Sequence, residues 1–405
     1  MTPLSSTEKQ FIRDHLTDDV RQLVLRTHPA GLDIRKLAAQ LAARQKTRDK
    51  LPSWYGNEAV LYPPALSVEQ ASSEQTARYK ASLVDGDRLL DLTGGMGVDA
   101  WAFAQRLREV LYVERQPELV SLAAYNLPAM GSTNIDVQAG DGLAVVEALT
   151  ESADWIYLDP HRRDGQGGKV VRLADCEPDV SRTDVLTALL AKATHVLLKT
   201  SPIIDIDATI RQLGGPPDNL RSARVDAVHV VAVQGEVKEV LFVVSSQQTP
   251  LAPIEVNAVN LLNDRIVRLQ FLQPEEREAG VTFSDPQHYL YEPNAAILKA
   301  GAFRLSAARY GLAKLAPNSH LYTSQQHNPD FPGRAFVLER VIKPDRGTLQ
   351  SWLPTMKANL TVRNFPQTVA ELRKKLNLQE GGDVYIFATT LLNGDKRLLI
   401  TRKVA

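Results

Sequence analysis

The chain has 405 residues, too long for one ordinary hydrophobic core, so two to four domains are expected. Apolar residues make up 44% and charged residues 23%, which excludes disordered and fibrous classes, and a single cysteine, Cys176, excludes an internal disulfide. Formal net charge is zero, yet Lys+Arg against Asp+Glu runs 12 to 9 over residues 1–80, 22 to 32 over 81–330 and 13 to 6 over 331–405, so an acidic middle precedes a carboxyl end of about +7.

The amino terminus, MTPLSSTEKQFIRDHLTDD, is polar and acidic, and no apolar run approaches the roughly 18 residues that span a bilayer. Together with the lone thiol this points to the cytoplasm. Residues 1–80 read as a helical region. Asp33 is placed to cap a helix whose Ile34, Leu37, Ala38, Leu41 and Ala42 fall at helical spacing. Pro52, Pro63 and Pro64 break the pattern, and Ser72 with Gln75 has the form of a capping box that starts another helix through Tyr79 and Leu83.

From about residue 84 short apolar strands alternate with helical stretches, as βαβ units do, and residues 81–247 are read as one α/β domain with a Rossmann-like sheet of seven strands. The expected strands are 88–92, 110–114, 135–138, 155–158 and 195–199, then 227–233 and 240–244 as an antiparallel hairpin around the polar turn QGEVKE. QQTPLAPIE at 247–255 suits a linker. Residues 256–330 and 331–405 read as small α+β units, the last with a basic helix, TVAELRKKL.

The first strand carries the main motif, RLLDLTGGMGVD at 88–99. Gly94, Gly95 and Gly97 let the backbone turn sharply and approach a ligand. Asp91 ends the strand, where open α/β sheets bind ligands. Gly95 to Ala100 also fits the dinucleotide pattern G-x-G-x-x-A with an acid at Glu114, so a nicotinamide oxidoreductase is a rival. A carboxylate beside the loop repels a pyrophosphate and suits a cofactor carrying an amine and a sulfonium, which favours S-adenosylmethionine. Glu114, ending the second strand, is then placed for a ribose diol. Asp141, beside Gly142 in QAGDG, is placed for an adenine amine.

The fourth strand runs into Asp159-Pro160-His161-Arg162-Arg163-Asp164. Asp159 and the carbonyl at Pro160 stand where a transferable methyl projects, and in-line transfer depends mainly on alignment. Arg162 and Arg163 suit a substrate phosphate or carboxylate, or pair with Asp164 or Asp175 to order the loop. Lys199, ending the fifth strand in LLKTSP, approaches the same place. Cys176 lies among Asp175, Glu177 and Asp179, which suppress a thiolate and disfavour a covalent mechanism. The histidines show no metal-ligand spacing.

On DLTGGMG, Glu114, AGDG and LDPHRRD, the middle of the chain resembles a class I S-adenosylmethionine-dependent methyltransferase. More closely, the whole chain is similar to a bacterial family of methyltransferases with a THUMP-like carboxyl-terminal domain. That resemblance rests on SSEQTARYK at 72–80, LDPHRRD at 158–164, YLYEPNAAILKAGAF at 289–303, NSHLYTS at 318–324, FPGRAF at 331–336 and VRNFPQTVAELRKKL at 362–376. It implies a ferredoxin-like segment before the THUMP-like domain and, because true THUMP modules bind RNA, a ribosomal or transfer RNA substrate. The cofactor residues implied are Asp91, Thr93, Gly94, Gly95, Gly97, Glu114, Asp141 and Gly142. Two departures stand out. Thr93 replaces the usual first loop glycine, and no aromatic follows the proline as it does in the loops of base-amine methyltransferases, which leaves the methylated atom open. Arg334, Arg363, Arg373, Lys374 and Lys375 cluster in the basic module as candidates for the RNA backbone. A protein or small-molecule acceptor, and a non-catalytic RNA-binding scaffold, are the other readings.

Overall fold

The structure, a computed structural model, describes residues 3–28, 31–162, 172–214, 223–246 and 252–404. The chain divides into two compact units, one from residues 1–228 and 239–252, the other from 229–238 and 253–405.

In the first unit the amino-terminal helices bury one face each. Asp33 caps the helix Ile34–Thr47 by accepting from the Lys36 N–H at 3.0 Å, the cap legible in the sequence. Its Leu37 and Leu41 join Phe11, Ile12 and Leu23, and the cluster continues onto Leu119 and Leu122 of the α/β region. The next expectation shifts by one residue. The helix Glu74–Ala81 is capped by Ser73, whose Oγ accepts from the Thr76 N–H at 3.1 Å. Ser72 is instead buried, donating to Asp99 and accepting from the Lys80 ammonium, both at 2.8 Å. A buried ammonium needs acceptors more than a helix end needs one particular serine.

Seven of the nine strands of the larger sheet are β1 (Arg88–Asp91), β2 (Glu109–Glu114), β3 (Ile135–Ala139), β4 (Ala153–Leu158), β5 (Ala193–Thr200), β6 (Ala223–Val233) and β7 (Glu236–Ser246). Their order is β3-β2-β1-β4-β5-β7-β6. Strands β1 to β5 pair in parallel, and β7 runs antiparallel to β5. The central strands β1, β2, β4 and β5 are mostly buried apolar runs, as parallel strands inside an α/β sheet are, whereas β3 at the edge, IDVQA, has no buried residue. The order reverses at β1, so the chain leaves β1 and β4 beside each other, with Asp91 opposite Tyr157. The β6–β7 hairpin is tighter than the sequence predicts. Only Gln234 and Gly235 make the turn, both with positive φ (51° and 83°), and Glu236 to Glu239 lie in β7.

The second unit opens with an antiparallel pair, β8 (Glu255–Leu261) and β9 (Ile266–Leu272), and the Gln234 N–H donates to the Leu261 carbonyl. A seven-stranded sheet follows: β10 (Tyr289–Pro293), β11 (Ala313–Lys314), β12 (Tyr322–Ser324), β13 (Gly333–Ile342), β14 (Asn359–Arg363), β15 (Val384–Thr390) and β16 (Lys396–Lys403), in the order β11-β12-β10-β13-β16-β15-β14. Strand β10 pairs with both β12 and β13, so one sheet runs across positions 330 and 331. The parallel pair β14–β15 is joined by the basic helix Val369–Leu376, whose Leu372 and Leu376 are buried beside Ile386 and Ile400. Among the described residues no helix is long and apolar enough to cross a membrane.

Candidate active site

The loop after β1 is built from backbone packed on backbone. Gly94 lies so close to the Tyr112 ring that an added Cβ would stand 2.1 Å from a ring carbon, and its N–H donates to the Val113 carbonyl at 2.9 Å. The Gly95 N–H donates to Glu114 Oε2 at 2.9 Å while its carbonyl accepts from the Tyr112 hydroxyl at 2.6 Å. Gly97, at φ +87°, starts the helix Val98–Ala104, where a side chain would strain the turn. Thr93 Oγ1 accepts from the Asp159 N–H at 2.8 Å and so ties the loop to the end of β4. Gly142 sits against β1, an added Cβ falling 2.6 Å from the Leu92 carbonyl oxygen.

Asp91 is fully buried. One carboxyl oxygen accepts from the Thr93 N–H at 3.1 Å, and the other has no partner. Burial first, and the nearby Asp99 charge second, push its pKa well above the usual carboxylate range. An orphaned buried oxygen beside the glycine loop fits a ligand that brings a cationic donor. Glu114 is half-buried and splits its oxygens between the Gly95 and Gln116 N–H groups. Asp141 caps the helix Gly142–Ala148 through the Ala144 N–H at 3.1 Å and pairs with Arg115, which also reaches Glu177 at 2.6 Å. Burial works to raise the Asp141 pKa, yet those partners hold it below its ordinary value.

On the other side of the cleft Asp159 and Pro160 are half-buried, and Asp159 is ion-paired with Lys199. The register explains the pair: Leu158 of β4 faces Leu198 of β5, so the next residue on each strand meets its neighbour. His161 and Arg162 form a two-residue ladder with Cys176 and Glu177. Arg163 lies outside the described residues, as does the side chain of Arg162.

A buried ionic network lies behind this pair, and sequence reasoning missed it. Lys80 is wholly buried, with its ammonium 3.0 Å from Asp99 Oδ1 and 3.1 Å from Glu239 Oε2. Asp99 also accepts from the Tyr157 hydroxyl at 2.8 Å. Burial tends to raise the Asp99 pKa, but the Lys80 and Lys199 charges and the two hydroxyls hold it down. For Glu239 burial prevails and the pKa rises. Burial also opposes the Lys199 charge, yet Asp159, Glu239 and Asp99 together raise its pKa above the ordinary lysine value. The sequence puts Glu239 in a polar turn, whereas the structure carries it in β7. Lys80 gave no amphipathic signal because nearly every side of its helix is buried.

In the second unit the expected RNA-backbone residues separate. Arg334 and Arg363 both clamp Glu292, with Arg363 Nη2 at 2.9 Å, and the Glu292 side chain is 5% exposed. Arg373 reaches the Ala358 carbonyl at 3.5 Å and Glu380 at 3.7 Å, while Lys374 and Lys375 are exposed at the end of the basic helix.

Comparison with known proteins places these features. Residues 67–153 match the family described as protein-L-isoaspartate(D-aspartate) O-methyltransferase, residues 289–332 a ferredoxin-like domain and residues 333–403 the THUMP domain-like family. The crystal structure of a putative methyltransferase from Porphyromonas gingivalis W83 is 33% identical, covers 98% of both chains and superposes with a TM-score of 0.85. An uncharacterized S-adenosylmethionine-dependent methyltransferase of Mycobacterium tuberculosis is 24% identical over 332 residues, 80% of this chain and 83% of the relative. A protein-L-isoaspartate O-methyltransferase of Koribacter versatilis is 29% identical over 91 residues, 22% of this chain and 41% of its own. The chain belongs to the family of class I S-adenosylmethionine-dependent methyltransferases that carry a THUMP-like carboxyl-terminal domain.

Proposed function

We propose that this enzyme methylates structured RNA, ribosomal or transfer. The observation that carries the RNA reading is the THUMP-like match over 333–403 in a segment whose charge is about +7, with Lys374 and Lys375 exposed on one helix. Arg373 flanks them, and Arg334 and Arg363, 46% and 33% exposed, keep guanidinium surface open beside Glu292.

S-adenosylmethionine, when bound, supplies an electrophilic methyl on a sulfonium. Asp91 would offer its unpaired oxygen to the donor's amine end, Thr93, Gly94, Gly95 and Gly97 would allow the loop a close approach, and Glu114 would hold the ribose. Asp141 and Gly142 would hold the adenine. Asp159 and Pro160 would hold the acceptor in line with the methyl, with Lys199 fixing Asp159, and the sequence alone offers Arg162 and Arg163 for a substrate phosphate or carboxylate.

Filter binding of ribosomal and transfer RNA across a salt series tests the reading. Replacing Lys374 and Lys375 by Ala should weaken binding and reduce the slope of log K against log[salt] by about 1.4–1.8. Unchanged affinity and slope would remove these lysines from the RNA surface. Failure of the intact enzyme to bind or label any RNA would remove the RNA reading itself.

A further inference from the structure

The network behind the acceptor side bears on which atom receives the methyl. Three neighbouring strands deliver its members: Asp159 follows β4, Lys199 is the last residue but one of β5, and Glu239 lies in β7, where Thr200 pairs with Val240. Lys80 enters from the helix Glu74–Ala81 and bridges Glu239 to Asp99. Strand pairing sets the two ion pairs close together, since Thr200, next to Lys199, pairs with Val240, next to Glu239.

This charge pattern fits one kind of nucleophile. An amine acquires positive charge as it attacks a sulfonium methyl, and an ammonium beside it opposes that change. A hydroxyl oxygen must lose its proton as it attacks, so it needs a proton acceptor, and an ammonium nearby favours the charge it develops. Here the carboxylate at the transfer position is held by Lys199, and Lys199 has a second set of carboxylates behind it. When Asp159 takes up a proton and its pairing weakens, Glu239 and Asp99 still compensate the lysine charge. The residue after Pro160 is an exposed histidine whose backbone is tied into the ladder with Glu177, so among the described residues no large buried ring follows the proline to hold a base. A sugar hydroxyl needs no such ring.

We propose that the acceptor is a hydroxyl oxygen, the ribose 2′-hydroxyl of RNA, with Asp159 as the catalytic proton acceptor and Lys199, Lys80 and Glu239 as positioning residues. This rests on the RNA reading above. The hydroxyl oxygen forms a bond to the methyl carbon, the carbon–sulfur bond breaks with its electron pair staying on sulfur, and the hydroxyl proton passes to the Asp159 carboxylate. The products are a neutral thioether, a methyl ether and a protonated carboxyl that returns its proton to water.

The test uses the full-length enzyme, methyl-labelled S-adenosylmethionine, and ribosomal and transfer RNA from cells lacking the gene. Alkali cleaves RNA only where the 2′-hydroxyl is free, so the labelled RNA is hydrolysed and sized. The expected result is label in alkali-resistant dinucleotides that yield 2′-O-methyl nucleosides on enzymatic digestion. Label in mononucleotides, carried on a base, would overturn the hydroxyl assignment and leave the RNA reading standing. Label on protein or small molecules alone would overturn the RNA reading, and this inference with it. Asp159→Asn should lower kcat at least a hundredfold with the cofactor dissociation constant within threefold of the parent. Lys199→Met should lower kcat at least tenfold at unchanged cofactor affinity, with partial recovery in Lys199→Arg; no change in kcat for either Asp159→Asn or Lys199→Met would overturn the assignment.

Discussion

Replacing Lys80 by Met gives the buried network its sharpest test. The side chain is wholly buried, and Met fills nearly the same volume, so the change removes a charge and little packing. At 3.0 Å from Asp99 and 3.1 Å from Glu239, each attraction is worth about 5 kcal/mol at an effective dielectric of ~20, before the cost of desolvating the ions. Breaking a buried pair from one side costs about 3–5 kcal/mol, and we expect a loss in that range at pH 8. The penalty comes from two carboxylates left ionised without their cation. Glu239 already has a raised pKa in the folded enzyme, and without Lys80 it rises further. A carboxyl whose folded pKa exceeds its unfolded value favours the fold below the unfolded pKa and loses that contribution as pH rises through the folded one. The gap between variant and parent should therefore narrow from pH 8 to pH 5.5, and adding Glu239→Gln should recover at least ~1 kcal/mol at pH 8. Urea unfolding at both pH values, followed by the fluorescence of Trp54, Trp101 and Trp155, measures it. A loss under ~1 kcal/mol at pH 8, or the same loss at both pH values, would refute the electrostatic account.

Burial raises the Asp91 pKa and a cationic ligand favours its charged form, so binding of S-adenosylmethionine should lower that pKa: proton release and a rise of affinity with pH are expected across the range where Asp91 titrates, and calorimetry in buffers of different ionisation enthalpy should show the transfer. A binding enthalpy independent of buffer would remove Asp91 from that role. Gly94→Ala puts a methyl into the Tyr112 ring and should cost about 1–3 kcal/mol with at least tenfold weaker cofactor binding, while Gly280→Ala, where nothing lies within 4 Å, serves as the control; equal behaviour of the two would contradict the close approach. Glu292→Gln leaves Arg334 and Arg363 facing each other and should lower the stability of the second unit by about 1–3 kcal/mol, read from the fluorescence of Trp352; an unchanged melting temperature would show that the clamp contributes nothing.

Much of the site was legible because it is local. The apolar run of β1, the acid that ends it and the glycines of the following turn lie within twelve consecutive residues, 88–99, and each requirement is met by its immediate neighbours. The same holds for Asp33 at its helix and for the seven strands of the first unit, whose periodicity is written in short stretches. What was misplaced is non-local. Ser72 has the local pattern of a cap, but Lys80 takes its hydroxyl, and Glu239 has the local pattern of a turn residue, but β7 carries it inward. Arg334 and Arg363 counted towards a basic surface, yet β10 brings Glu292 between them.

By itself, then, the amino-acid order determined which segments become strands and helices, where the cofactor loop falls and which carboxylates end β1 and β4, because backbone preference and hydrophobic period act over a few residues. Tertiary structure alone decided that positions 80, 99 and 239 share one buried charge network behind Asp159 and Lys199. The reason is energetic: a buried ion is tolerated only beside its counter-ion, and which residues meet is set by strand order and register, which no local pattern encodes.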